Sequence, residues 1–244
     1  RYHQLDVVRK LLADARAHGV GRRYLIQHSA GSGKSNSIAW LAHQLIGLTR
    51  DGRPVFDSII VVTDRRILDR QIRDTIKQFA QVSATVGHAE HSGDLRRFIE
   101  SGKKIVITTL QKFPFILDEI GHEHRGRRFA IIIDEAHSSQ GGRTSAKMSM
   151  ALSEAGAEDE DETFEDRINR LMESRKVLPN ASYFAFTATP KNKTLDLFGE
   201  PDPQPDGTVK HLPFHSYTMK QAIQEGFILD VLAHYTPVKS YYKL

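Results

Sequence analysis

Five short apolar runs limit what this chain can fold into: "YLIQ" at 24–27, "SIIVVT" at 58–63, "KIVITT" at 104–109, "FAIIID" at 129–134 and "YFAFTA" at 183–188. They are rich in β-branched residues and apolar almost throughout. A strand with one face in water alternates apolar and polar side chains, so runs lacking that alternation belong to a sheet covered on both faces. The segments between them are long enough for crossover helices, and their periodicity predicts helices near 4–18, 34–49, 66–80, 93–101, 144–153, 165–174 and 218–225. The fold class expected is α/β, a mainly parallel sheet with helices on both faces.

Size agrees with this, since 244 residues with 39% hydrophobic content can bury one large core. No run nears the roughly 18 apolar residues of a membrane span, and the opening "RYHQLDVV" has no signal-peptide core. A soluble, cytoplasmic protein without a membrane partner is expected. The absence of cysteine removes disulfides, thiolate catalysis and cysteine-ligated zinc together, and it fits a reducing compartment. The formal charge of +4 understates the basic surface, because acid is concentrated in Glu154 to Asp166; this opens the class of nucleic-acid partners without requiring it. The acidic run has almost no bulky apolar residue and reads as a solvated loop. His88, His91, His122 and His124 fall in polar connections and read as surface loops, with no transition metal assigned to them.

From Gly199, "GEPDPQPDGTVKHLPF" reads as an irregular excursion, after which "YTMKQAIQEGF" resumes helical periodicity. The final "ILDVLAHYTPVKSYYKL" reads as a strand leaving the domain. Residues 1–229 are therefore expected to form one domain, and 230–244 to begin the connection to a second.

Three motifs carry chemistry. In "LIQHSAGSGKS" a strand enters a glycine-rich turn and then a helix, which aims several main-chain N–H groups and the positive helix end at one spot suited to phosphate. Against the pattern GxxxxGK[ST], Gly33 lets the backbone close around the β-phosphate, Lys34 reaches the β- and γ-oxygens, and Ser35 ligates Mg²⁺. The first pattern glycine is His28 here, while Gly31, beside Ser32, supplies a second flexible point. The second motif, "AIIIDEAH", brings carboxylates out of the sheet at a strand's C-terminal end, where ligands of open parallel sheets collect. Asp134 suits Mg²⁺, and Glu135 suits the water that attacks the γ-phosphate. A solvated "DE" at a strand end is the bland alternative. In the third, "FAFTATPKNK", Thr187 and Thr189 emerge from another strand end. The ATP and Mg²⁺ reading requires Lys34 and the Asp134/Glu135 pair to meet at neighbouring strand tips.

Taken in order, the loop, "DEAH" and "TAT" resemble the motifs of superfamily 2 helicases and translocases, which implies a RecA-like P-loop NTPase fold. That resemblance implies that Gln4 in "RYHQ" hydrogen-bonds adenine, with Tyr2 or Arg1 packing on the base; a polar cap for the first helix is the alternative for those two. It implies that "VVTDRRILDRQI" and "ITTLQKF" grip a nucleic-acid backbone, through Arg65, Arg66, Thr108, Thr109 and Gln111, although the arginines fit a solvated helix face as well. It also makes His137, Thr187 and Thr189 candidates for coupling nucleotide state to the nucleic-acid face.

Within that superfamily, "LIQHSAGSGKSNSIAWLAHQL", "DEAHSSQGGRTSAKM", "NASYFAFTATPKNKTLDLFG" and "FHSYTMKQAIQEGFILDVL" resemble the R (motor and nuclease) subunit of type I restriction enzymes. The resemblance implies an ATP-driven translocase on double-stranded DNA that works with methyltransferase and specificity subunits. No nuclease residues are assigned, since that domain lies before the motor in the family. A second motor lobe following Leu244 would supply arginines worth on the order of 10³ to 10⁵ in rate, so this lobe alone is expected to hydrolyse ATP poorly. A DEAH-type RNA or DNA helicase, a small-molecule kinase, and a nucleotide-gated switch are the competing readings.

Overall fold

The computed structural model describes residues 1–63, 86–88, 93–122, 124–134, 164–174 and 178–230. In chain order the strands are β1 (Arg23–His28), β2 (Thr49–Arg50), β3 (Arg53–Pro54), β4 (Ser58–Thr63), β5 (Val86–His88), β6 (Ile105–Thr109), β7 (Phe129–Asp134), β8 (Ala181–Thr187), β9 (Glu200–Pro203), β10 (Val209–Leu212) and β11 (His215–Tyr217). The helices are α1 (Tyr2–His18), α2 (Lys34–Ile46), α3 (Asp94–Glu100), α4 (Phe113–His122), α5 (Phe164–Ser174), α6 (Asn192–Phe198) and α7 (Met219–Gln224).

All five apolar runs are strands of one seven-stranded sheet in the order β11-β1-β8-β7-β4-β6-β5. Every pairing within it is parallel. Because successive side chains point to opposite faces, each of these five strands feeds two cores. Ile26, Val61, Ile107, Ile132 and Phe184 join Val7, Leu11, Ile38 and Leu41 of α1 and α2 on one face. Leu25, Ile60, Val106, Ile131 and Tyr183 join Leu95, Phe113, Ile116 and Ile168 of α3, α4 and α5 on the other. Helices therefore cover both faces, as the missing alternation implied, and β7 at the centre is buried along its whole length.

The edge strands β5 and β11 were not legible, since three residues show no period. α4 also falls where no helix was assigned. Pro114 stands in its first turn, where the missing N–H would have had no intrahelical partner anyway. α2 stops at Ile46, earlier than expected, because Gly47 caps it and Asp51-Gly52 turns a tight hairpin between β2 and β3, with φ of 51° and 74°. The stretch after Gly199 is an ordered antiparallel hairpin of β9 and β10, with Pro201 and Pro203 at alternate positions of a two-stranded ribbon, where a missing N–H faces solvent.

His88 lies in β5 and His122 ends α4, so these two occupy regular elements where loops were expected. The helices expected at 66–80 and 144–153, most of the acidic run and residues 231–244 lie outside the described residues. Among the described residues, no helix is long and apolar enough to cross a membrane.

Candidate functional site

The turn from β1 into α2 is made by residues 29–33. Gly31 and Gly33 have φ of 73° and 84°, a left-handed backbone that glycine adopts without a steric penalty. A side chain at position 33 would also bring its Cβ within 2.6 Å of Gln4 Nε2. Gly33 is the N-cap of α2 and brings no side-chain acceptor to the first turn, where the positive helix end lies. Lys34 folds back across the loop, its Nζ donating to the carbonyl oxygens of His28 at 3.1 Å and Ser29 at 3.2 Å. Ser35 is half-buried in the first turn of α2, while Ser32 is buried and its hydroxyl has no hydrogen-bond partner among the described residues.

Behind the loop stands a polar cluster that the motifs did not announce. Gln4 Nε2 donates to the Gly33 carbonyl at 2.8 Å, and His3 Nε2 lies 3.0 Å from the Ser32 carbonyl oxygen. Asp6, further along α1, accepts from His215 Nε2 at 2.9 Å, and His215 Nδ1 is 2.9 Å from His28 Nε2. The loop's own backbone is tied to the same strand, since Ser29 N–H donates to the Tyr217 carbonyl at 2.9 Å. The hydroxyls of Tyr2 and Tyr217 both donate to Glu225. Burial, ahead of the nearby His215, His3 and Lys34 charges, pushes the His28 imidazole down to about 3, and burial likewise lowers His3. Both rings are therefore neutral at physiological pH. His3, His215 and Tyr217 were missed as site residues; "RYHQ" contained the first, but nothing local marked β11 as the loop's neighbour.

At the C-terminal edge of the sheet, register sets Ile26, Phe186, Asp134, Thr63 and Thr109 side by side. The glycine loop and Asp134 therefore share one edge. They are not on neighbouring strands, as expected, because β8 lies between β1 and β7, which separates the two tips by two strand spacings, about 10 Å. Thr187, the last residue of β8, fills that gap; it is wholly buried, with a hydroxyl that has no hydrogen-bond partner among the described residues. Asp134 is 2% exposed, and Thr189 is on the surface. Further along the edge Thr109 is half-buried and Gln111 exposed, whereas Thr108 points inward and is wholly buried. Glu135, His137, Arg65 and Arg66 lie outside the described residues.

The donors present fit a triphosphate and a hard cation. Two left-handed glycines, a helix N-terminus whose N-cap is a glycine and an ammonium at the loop mouth suit phosphate oxygens. Ser35 and Asp134 are oxygen donors of the kind Mg²⁺ prefers, and Mg²⁺ commonly completes its shell with phosphates and water. Among the described residues no group of three or more His, Cys, Asp or Glu could hold a metal by itself.

Comparison with known proteins bears on the family and the fold. The chain is 32% identical over 181 residues to the type I restriction enzyme HindI endonuclease subunit of Haemophilus influenzae, covering 70% of this chain and 16% of that protein. It is 26% identical over 235 residues to the type I restriction enzyme EcoKI endonuclease subunit of Escherichia coli, covering 94% of this chain and 17% of that one. The chain thus spans under a fifth of the length of these curated relatives. A nuclease-deletion mutant of the Type ISP restriction-modification enzyme LlaGI, solved with a DNA substrate mimic, shares the fold with a TM-score of 0.53 at 15% identity, over 96% of this chain and 21% of that one. The seven-stranded parallel sheet with its loop-bearing edge is accordingly a RecA-like α/β fold. The sequence pattern of the SWI2/SNF2 ATPase family matches residues 3–158, well over half of the chain, and the chain belongs to that family.

Proposed function

We propose that residues 1–229 are the first motor lobe of an ATP-driven translocase on double-stranded DNA, in the R subunit of a type I restriction enzyme, and that 230–244 begin the connection to the second lobe. The observation that carries the reading is the shared sheet edge, with the Lys34 loop at the tip of β1, Asp134 at the tip of β7 and Thr187 between them. In this reading Lys34 neutralises the β- and γ-phosphates, the N–H groups around Gly33 and Ser35 cradle them, and Ser35 and Asp134 hold the magnesium ion. Glu135 orients the attacking water, and Gln4 reads the adenine. The bound cation supplies charge neutralisation on the phosphoryl oxygens. Thr187, with Thr189 and His137, relays nucleotide state; a buried hydroxyl between the two tips is suited to that task, because a hydrogen bond it gains on one side alters what it can give on the other.

DNA contact belongs to Thr109 and Gln111 on the exposed edge, with Arg65 and Arg66, and is directed at phosphates, so it is sequence-independent and salt-sensitive. Thr108, being internal, supports the edge from beneath. The partners of the whole protein are methyltransferase and specificity subunits, which choose the sequence, in the cytoplasm. Support for this comes from the type I endonuclease subunits among the relatives.

The test is the ATPase rate of the intact polypeptide with duplex DNA, with single-stranded RNA and with neither. Stimulation by duplex DNA that weakens with salt is the expected result. Equal rates throughout remove the translocase reading, stimulation by RNA alone indicates a DEAH-type helicase, and a phosphorylated small product indicates a kinase.

A further inference from the structure

Two consecutive peptide units of the phosphate loop have their carbonyls turned backward. Within a trans peptide the C=O and N–H point in opposite directions, so a carbonyl held behind the loop sends the next N–H to its front. The Gly33 carbonyl is held by α2 itself, accepting from Asn36 N–H at 3.1 Å and Ser37 N–H at 3.3 Å, and by Gln4. The Ser32 carbonyl precedes the helix, and its partner among the described residues is His3 Nε2, at 3.0 Å. Gly33, on the C-terminal side of that unit, is left-handed and has no side chain to oppose a change of φ, so the loop itself does little there to resist a flip.

The His3 ring is fixed as a post would be. It is 1% exposed, stacks on Tyr217 at 3.7 Å between centroids with 7° between planes, and meets His28 and Tyr2 edge-on. A carbonyl oxygen only accepts, so the neutral ring carries its proton on Nε2. Nδ1 is buried without a hydrogen-bond partner among the described residues; a buried polar atom left unpaired is a cost, tolerated where the other nitrogen has a task.

We propose that His3 is a positioning residue for the triphosphate: its Nε2–H locks the Ser32–Gly33 peptide so that the Gly33 N–H faces the phosphates, and Tyr217 holds the ring in place. The inference rests on the phosphate-loop reading of residues 29–35. His3 touches no reacting atom, so its loss weakens nucleotide binding and leaves the chemical step nearly intact.

The experiment measures ATP affinity, KM and kcat for the intact polypeptide and for His3→Phe, His3→Gln and Lys34→Ala. Phenylalanine keeps a ring against Tyr217 and removes the donor; glutamine restores an N–H at similar reach. Expected is a rise of about tenfold or more in Kd and KM for His3→Phe, with kcat within about twofold and recovery of most of the affinity in His3→Gln. Should His3→Phe not fold, the comparison passes to His3→Gln against His3→Met, which differ mainly in the donor. An unchanged KM in the donor-less variant, or a glutamine variant no better than it, overturns the role of His3 alone. Lys34→Ala binding ATP as tightly as the parent overturns the phosphate-loop reading and this inference with it.

Discussion

The Lys34 ammonium is bonded to the end of the strand that leads into its own loop, with Nζ 3.1 Å from the His28 carbonyl oxygen and 3.2 Å from that of Ser29. The side chain is thus held across the loop mouth by backbone acceptors, and little ordering entropy remains to be lost when it turns to a phosphate. Lys34→Ala is expected to weaken ATP binding by about two orders of magnitude, roughly the 2.7 kcal/mol of a charge-assisted contact. Titration with a fluorescent ATP analogue checks this, and the circular dichroism spectrum should be unchanged.

Gly33→Ala has two costs. Its φ of 84° is worth about 1–3 kcal/mol of strain to a residue with a side chain, and its methyl carbon meets Gln4 Nε2 at 2.6 Å. Gln4 is flexible and can withdraw, but then it abandons the Gly33 carbonyl. A lower thermal midpoint together with lost ATP binding is expected, and Gln4→Ala in the same background should recover part of the midpoint but not the binding.

Glu135→Gln separates holding from hydrolysing. If Glu135 orients the attacking water, the amide variant binds ATP with the parent's affinity while turnover falls by about 10² or more. Parallel loss of both, or of neither, would assign it another role.

His28 makes stability depend on pH in a predictable direction. Its folded pKa is depressed to about 3, chiefly by burial, whereas a histidine in the unfolded chain titrates near 6.5. Between those values the unfolded state binds the extra proton, so stability is fully present above about 6.5 and is lost as pH falls. From about pH 7.5 to about 5.5 the parent should lose on the order of 1.4 kcal/mol more than His28→Gln. Urea unfolding of both proteins at the two pH values reads the difference, and equal losses would contradict a neutral buried ring.

The sheet was legible because its cause is local. A strand covered on both faces must be apolar along its length, so "SIIVVT" and "FAIIID" announced β4 and β7 without reference to any partner. The loop was legible for a similar reason, since only glycine takes φ near 80° freely, and Gly31 and Gly33 stand where that backbone is needed. Strand order was not legible: whether β8 enters between β1 and β7 depends on which edges remain free once the helices have packed, and that insertion put buried Thr187 between Lys34 and Asp134.

What holds the loop from behind was decided by tertiary structure alone. His28 and His215 meet across 187 positions of chain, and His3 reaches Ser32 across 29; neither pairing leaves a periodicity or a spacing to read. The amino-acid order determined the layers and the bare glycine turn, because those follow from the burial and backbone freedom of single residues. The direction in which that turn's N–H groups point was settled only when α1 and β11 closed around it, because orienting a peptide dipole requires a partner fixed in space.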